Sequence, residues 1–314
     1  MTGFWCRCAA NDLCPPSWSG IIFETLPRLA AGLPLRETLC MVCGPMKNPT
    51  ATADPHRWRS CARWAGFWYF CTWPLGCAAL WVWSPVAACA HFAGTHTLAL
   101  YGALRANSQI FGNVVRRFAT TEREAWITID DGPFPEDTGA LLEVLARHEV
   151  RATFFLEGAR VQVAPELARG IVAAGHSLGN HSQTHPVGRF WALGPGGARR
   201  EIDACSEALR AAAGVEAVGF RAPVGMANGF VHRAARRRGL AVIGWKARGF
   251  DGLDRDPERV TARLLARLSP GAILLLHQRA HGAGSAVILD RLLTALRERG
   301  YRCVVPSVNR FIAG

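Results

Sequence analysis

Short apolar runs alternate with amphipathic stretches along the chain after about residue 110. Seven of these runs have the length and composition of strands, and helical periodicity fills the intervals between them. The predicted strands are Ala125 to Ile129, Arg151 to Leu156, Ser177 to Asn180, Val218 to Arg221, Ala241 to Trp245, Ala272 to His277 and Tyr301 to Val305. Strands that alternate with helices predict a parallel α/β sheet, either open or closed as a barrel.

A second pattern precedes this region, because residues 64–104 contain no Asp, Glu, Lys or Arg. A helix needs about 20 apolar residues to cross a bilayer, and Pro85 offers a break between two halves of that length. We therefore expect 64–104 to be a membrane segment of one or two helices at the bacterial inner membrane, with basic residues on both flanks. A buried helical hairpin is the alternative, and His91 and His96 make the second half less suited to a membrane.

The first part of the chain has no sustained period of a helix or a strand, and we expect residues 1–63 to form a poorly ordered extension. A polar, basic lead-in begins at Met46, so we expect the native start there or nearby, with 1–45 as translated upstream sequence. Cys40 and Cys43 have the spacing of half a zinc site, but no second pair stands at a suitable distance along the chain.

Composition excludes a disordered or collagen-like chain, because 50% of the 314 residues are hydrophobic. The formal net charge is +12, yet only Lys47 and Lys246 of the 36 basic residues are Lys. A nucleic-acid groove has no physical need to avoid Lys, so we expect no nucleic-acid partner. The basic run 236–238 fits a solvated helix face, with anionic lipid headgroups or phosphate-linked glycans as the alternatives.

Two adjacent carboxylates, Asp130 and Asp131, end the first predicted strand. Like charges this close disfavour double ionisation unless a cation compensates. Neighbours in a regular strand point to opposite faces, but Gly132 and Pro133 break the strand and allow both side chains to enter one pocket. One carboxylate can then bind a metal while the other acts as a base. A turn whose Asp side chains cap nearby amides is the alternative.

Two histidines, His181 and His185, follow the third predicted strand at positions i and i+4. On a helical turn this spacing places both imidazoles on one face, where they suit the chelation of one ion. Ser182 stands where a zincin motif has Glu, so the general base must come from elsewhere, and Asp130 or Asp131 is the natural supplier. A solvated histidine pair is the alternative.

Three further segments lie at predicted strand ends and contain Arg221, Asp251 and His277. Taken singly, Arg221 fits a salt bridge at the edge of the core, and His277 fits a satisfied histidine after a buried strand. In this order, however, the five segments resemble the polysaccharide deacetylase family, the NodB-homology domain of carbohydrate esterase family four. The resemblance covers about residues 110–314 and is carried above all by the Thr-x-Asp-Asp-Gly and His-Ser-x-x-His patterns.

The resemblance implies a deformed (β/α) barrel of seven or eight strands and a divalent metal, usually Zn²⁺. By position in the motifs, the implied metal ligands are Asp131, His181 and His185, the base is Asp130, and the acid is His277. Arg221 is implied to orient the base, Asp251 to support His277, Leu275 to line the pocket for the acetyl methyl, and the Val224 amide to help form the oxyanion hole.

Two departures from the family pattern concern the walls of the cleft. Val224 stands where the third motif usually carries an aromatic residue, and Asp251 is the one Asp available where the fourth motif usually ends in Asp-Trp. A less aromatic cleft weakens the expectation of the standard polymer substrates, since sugar rings commonly stack on aromatic walls.

The expected activity is removal of N-acetyl groups from an amino-sugar-containing glycan or a lipid-linked sugar, through water activated by the metal. Two rival functions remain open. Two histidines and one carboxylate also form the facial triad of non-heme iron oxygenases. The barrel also suits a membrane-tethered, non-catalytic glycan-binding module, although pure binding needs no base and acid beside the metal. The sequence leaves the oligomeric state and the side of the membrane open.

Overall fold

Nine strands form one sheet in a computed structural model that describes residues 74–278 and 284–313. In chain order the strands are β1 (Val114–Phe118), β2 (Glu124–Asp130), β3 (Thr153–Leu156), β4 (Ser177–Asn180), β5 (Val242–Ile243), β6 (Ala247–Arg248), β7 (Ala272–His277), β8 (Arg302–Cys303) and β9 (Phe311–Ala313). The main path runs β4-β3-β2-β7-β1-β5, while β6 pairs with β7, β8 with β2 and β9 with β1. The parallel core confirms the predicted α/β class.

A single residue, Phe220, links the two edge strands β4 and β5 of the main path. Phe220 makes isolated parallel bridges to Asn180 at the end of β4 and to Val242 in β5. The result is an incompletely closed α/β barrel. Of the strand predicted at 218–221, only Phe220 pairs with neighbouring strands, because the chain turns at Pro223 directly afterwards.

The hydrophobic pattern did not predict β1, because two exposed arginines interrupt its apolar run. This strand pairs antiparallel with β7 and β9 and parallel with β5. It therefore joins β5 to the centre of the sheet, which the seven predicted strands could not do alone.

Helices cover the outside of the sheet, and proline at the first helical position fixes the start of five of them. A helical segment at 74–83 precedes the first complete helix. The helices are α1 (Pro85–Leu104), α2 (Pro135–Arg147), α3 (Gly158–Val163), α4 (Pro165–Ala173), α5 (Pro195–Ala213), α6 (Gly229–Arg237), α7 (Pro257–Leu265) and α8 (Gly284–Glu298).

The two faces of the strands pack into different clusters, because successive side chains point to opposite sides. Ile127 and Ile129 of β2 pack outward with apolar residues of the covering helices, whereas Trp126 packs inward with Phe155 and Ile273. Every second residue of β2 and β7 thus faces the barrel interior. The parallel register sets Asp130 opposite His277 at the ends of these strands.

The predicted membrane segment is not supported where the structure describes it. Among residues 74–278 and 284–313, no helix is both long enough and apolar enough to cross a bilayer. Ser84 interrupts the helical run, and His91 and His96 make α1 too polar for a span of its 20 residues. Residues 64–73, like the predicted extension 1–63, lie outside the described residues.

Candidate active site

The Asp-Asp-Gly turn directs both carboxylates toward the same histidine. Asp131 has a φ of 72°, and this left-handed backbone ends the alternation of β2. Asp130 Oδ2 lies 3.6 Å and Asp131 Oδ1 3.3 Å from His181 Nε2. A Cβ on Gly132 would overlap Gln278 Oε1, so a larger residue there would displace the Gln278 side chain. This arrangement agrees with the prediction that both carboxylates enter one pocket.

The histidine pair lies on a loop rather than on the helical turn that its spacing suggested. Ser182 and His185 have φ values of 68° and 47°, and both are left-handed. Asn180 accepts a hydrogen bond from the Ser182 amide, and Ser182 Oγ accepts one from the His185 amide. These local bonds replace helical hydrogen bonding and still bring the imidazoles together, with ring centroids 4.7 Å apart.

Asp131, His181 and His185 form the group of three possible metal ligands found among the described residues. One donor atom from each lies within 4.8 Å of the others, and Asp131 Oδ1 is 3.4 Å from His185 Nε2. The His181 Nδ1–H donates to the Arg221 carbonyl at 2.8 Å, which leaves the Nε2 lone pair facing the cluster. His185 Nε2 is buried and has no hydrogen-bond partner among the described residues. An unpartnered nitrogen beside a carboxylate fits a divalent metal.

The charges of Asp131 and His185 suit the same interpretation, whereas Asp130 and Asp131 outweigh burial and raise the pKa of His181, so a metal at its Nε2 would take the place of a proton. Burial opposes ionisation of Asp131, but the surrounding histidines, His181 foremost, hold the pKa of this carboxyl well below its usual range. Burial and the neighbouring His181 lower the pKa of His185 to about 4. His185 is therefore neutral at pH 7, with a lone pair available for a metal, and Asp131 is a carboxylate.

Arg221 ties Asp130 to the barrel interior. Its guanidinium is fully buried and lies 4.2 Å from the Phe155 ring, and Nη1 donates to Asp130 Oδ1 at 2.7 Å. The other acceptors of its donors are Thr128 Oγ1 at 2.8 Å, the Ile243 carbonyl at 3.2 Å and the Gly244 carbonyl at 2.9 Å. This network leaves Asp130 Oδ2 as the carboxylate oxygen that faces the histidines.

His277 and Asp251 form a second charged pair beside the cluster. Asp251 Oδ1 accepts from His277 Nδ1 at 2.8 Å, and Oδ2 accepts from the His277 backbone amide at 2.7 Å. Burial disfavours the imidazolium, but the Asp251 carboxylate outweighs it and raises the pKa of His277 to about 9. His277 is thus protonated at neutral pH. Although the fourth motif departs from the family pattern, its carboxylate reaches the histidine.

The two predicted substrate-binding residues occupy different places. Leu275 is buried on the inner face of β7, two residues before His277 and opposite Thr128. Val224 is exposed in the turn Pro223–Gly225, where its φ of 49° is a strained value for a β-branched residue. In the described part of the chain, the Val224 amide donates to no backbone acceptor.

Three polar residues near the site were not among the predicted site residues. Thr128 accepts from Arg221, and Gln278 donates its backbone amide to the Asp130 carbonyl. Glu157 directly follows β3, and burial raises its pKa. Thr128 shares a strand face with Asp130, and Gln278 follows His277 directly. Strand alternation and adjacency were therefore the available signals for two of them.

Known proteins are similar in sequence to this chain over most of its barrel. The polysaccharide deacetylase family model matches residues 118–243. A chitooligosaccharide deacetylase of Sinorhizobium fredii is 34% identical over 199 residues, which is 60% of this chain and 92% of that protein. A peptidoglycan-N-acetylglucosamine deacetylase of Bacillus cereus is 30% identical over 188 residues, or 59% of this chain and 68% of that protein.

Solved structures show the same similarity. A family 4 carbohydrate esterase from Streptomyces lividans, in complex with acetate, aligns with a TM-score of 0.55 and 28% identity, over 62% of this chain and 99% of that one. A CE4 family pseudoenzyme from Bacillus anthracis aligns with a TM-score of 0.56 and 29% identity, over 60% of this chain and 65% of that one.

Proposed function

The chain belongs to the polysaccharide deacetylase family, a family of hydrolases, and from this premise we propose that it removes N-acetyl groups from amino sugars of a glycan. The observation that carries the proposal is the meeting of three groups at one end of the barrel. These groups are the ligand cluster around Asp131, the base candidate Asp130 held by Arg221, and the acid candidate His277 held by Asp251.

We assign the metal site to Asp131, His181 and His185, with Zn²⁺ as the expected ion. Two imidazole nitrogens and one carboxylate oxygen match the donors that Zn²⁺ takes in hydrolytic sites. When bound, such an ion activates water and polarises the carbonyl of the scissile amide. These donors leave further coordination positions for water and substrate.

Asp130 acts as the general base in this proposal. Its Oδ1 is occupied by Arg221, so Oδ2 takes the proton of the attacking water. The buried Arg221 keeps the carboxylate in place and neutralises part of its charge. The water oxygen bonds to the amide carbon and the carbonyl oxygen takes the negative charge, where it accepts a hydrogen bond from the Val224 N–H.

His277 completes the reaction as the general acid. Asp251 occupies Nδ1, so the proton at Nε2 is the one available to the departing amine. Leu275 lies on the same face of β7 and provides the apolar contact for the acetyl methyl. The products are acetate and a free amino sugar, and atoms balance with one water consumed for each acetyl group.

The names of the relatives indicate the substrate class. Relatives of this chain are named for chitooligosaccharide and for peptidoglycan N-acetylglucosamine, so we propose a glycan or a lipid-linked sugar that carries N-acetylated amino sugars. We also propose that the protein acts at the bacterial inner membrane. The support is its formal net charge of +12, which attracts anionic lipid headgroups and needs no spanning helix.

The direct experiment measures released acetate and free amine from an N-acetylglucosamine tetramer, with the N-formyl tetramer and an O-acetylated glycan as alternative substrates. We expect acetate and amine in equal amounts from the N-acetyl tetramer. Formate alone would indicate deformylation, and acetate without amine would indicate an esterase. Oxygen-dependent turnover with iron would favour the non-heme iron enzyme instead.

A further inference from the structure

Arg248 extends from β6 toward the interior of the barrel, beside the proposed acid. The parallel register pairs Ala247 with Leu274 and Arg248 with Leu275. Ala247 and Leu274 belong to the outer apolar cluster, so Arg248 shares the opposite face with Leu275 and His277. A second guanidinium, besides that of Arg221, therefore lies on the inner face.

Two aromatic rings define the position of this guanidinium. Its Cζ lies 4.0 Å from the Phe250 ring centroid and 5.7 Å from that of Trp245. Trp245 also lies 6.0 Å from Arg221 Cζ, and a Cβ on Gly225 would overlap the tip of its ring. Trp245 thus connects Arg248 with the base-holding arginine and with the turn that carries the proposed oxyanion donor.

Arg248 differs from Arg221 in its lack of acceptors. All three nitrogens of Arg221 donate to buried oxygens. Arg248 Nε is buried without a hydrogen-bond partner, and Arg248 forms no ion pair within the described residues. The carboxylate of Asp251 is nearby, but both of its oxygens accept from His277. Burial lowers the pKa of Arg248, opposed by the Asp251 charge.

We propose that Arg248 binds an anionic group, a carboxylate or a phosphate, on the glycan substrate and so makes the site selective for acidic amino-sugar glycans. This inference rests on the proposed deacetylase function. A half-buried cation without acceptors lacks the compensation that buried polar groups normally have. A guanidinium stacked on an aromatic ring keeps its planar N–H donors free for two-point contact with an oxyanion.

The test compares three tetrasaccharides by titration calorimetry and by acetate release. One is the neutral N-acetylglucosamine tetramer, one alternates N-acetylglucosamine with carboxylate-bearing N-acetylmuramic acid, and one is the neutral tetramer phosphorylated at O6. The variants are Arg248→Gln, Arg248→Lys and, as a matched control, Arg255→Gln. Arg255 is exposed two residues after Leu253 in the loop that follows β6, so its removal changes the net charge equally.

We expect the wild-type protein to bind one of the anionic tetramers more tightly than the neutral one, and the identity of the preferred tetramer distinguishes carboxylate from phosphate. Arg248→Gln should lower the ratio of anionic to neutral affinity by about 10- to 100-fold, as for the loss of a hydrogen bond to a charged group. Arg248→Lys should retain part of the ratio, because a point charge remains. Arg255→Gln should leave the ratio unchanged.

Equal affinities in the wild-type protein, or a preference that persists in Arg248→Gln, would overturn the assignment. If Arg248 instead only tunes His277, Arg248→Gln will shift the alkaline limb of the pH profile equally for all three tetramers, which also contradicts it. Failure of the proposed function is a separate result, because no acetate would then be released from any tetramer.

Discussion

Asp130 and Asp131 are neighbours in sequence and both face His181, yet their other partners differ. Asp130 is buried against Arg221, whereas Asp131 faces both His181 and His185. The motif spacing predicted these residues, because each ends a strand where polar groups meet. It could not predict the Arg221 contacts, which join residues 91 positions apart and depend on the closure of the barrel.

The different surroundings of these residues predict different losses on substitution. Asp130→Asn should lower kcat by about 10²- to 10⁴-fold, because the base is gone, while the protein still binds one metal equivalent. His181→Ala should lose both metal and turnover, because a ligand is gone. Metal binding by calorimetry and acetate release measure the two effects. Full activity of Asp130→Asn would refute its assignment as the base.

Asp251 should set the alkaline limit of activity. The folded pKa of His277 is raised from 6.5 to about 9, so the acid is protonated below that pH and is lost as pH rises through it. In Asp251→Asn the charge that opposes burial most strongly is absent, so the pKa of His277 should fall from about 9. The alkaline limb of kcat/KM should therefore move to lower pH. An unchanged limb would show that another group sets it.

At the scale of elements, apolar runs predicted the central strands well and the connecting ones poorly. β2, β4 and β7 lie where the pattern placed them. β2 and β7 are buried on both faces and contain long apolar runs, whereas β4 contributes only Leu178 as a large apolar side chain. β1 contains two exposed arginines, and β9 has only three residues. Periodicity therefore gave no signal for either strand, and the two pair antiparallel with each other. The histidine loop was predicted as a helical turn, since spacing alone cannot report left-handed residues.

Close packing between β3 and β4 should connect stability to the site. A Cβ on Gly179 would overlap the Phe155 ring, which lies against Arg221. Gly179→Ala should therefore lower the free energy of unfolding by about 1–3 kcal/mol and also lower kcat. The measurement is chemical denaturation alongside acetate release.

Gly139 in α2 provides the matched control for this substitution. It is exposed, and a Cβ there would meet nothing within 4 Å. Gly139→Ala should raise the free energy of unfolding by about 0.5–1 kcal/mol, because Ala has the higher helix propensity. Equal effects of the two substitutions would contradict the packing argument.

At the scale of the whole molecule, the barrel brings together residues from five distant segments of the chain. The alternation of predicted strands with predicted helices indicated the α/β class, and the order of the motifs indicated the family. The absence of charge over 64–104 led to the prediction of a membrane segment that the described helices do not support, since Ser84 and two histidines divide the apolar run. A lack of charged residues does not by itself specify a continuous apolar helix.

Metal binding should stabilise the whole domain, because its ligands come from the turn after β2 and from the loop after β4. A ligand that binds only the folded state adds about 2.7 kcal/mol at a free concentration of 100 times its Kd. Zn²⁺ should therefore raise the Tm of the wild-type protein by several degrees. Asp131→Asn should lose this rise, and an equal rise in both proteins would place the metal elsewhere.

The proposed metal-dependent activity is tested most directly by the rate of acetate release from an N-acetylated amino-sugar oligomer as Zn²⁺ is titrated into metal-free protein. We expect no release without metal, a rate that rises up to one equivalent per chain, and no recovery in His181→Ala. Release that is independent of added metal and of chelator, or no release from any N-acetylated oligomer at one equivalent, would contradict it.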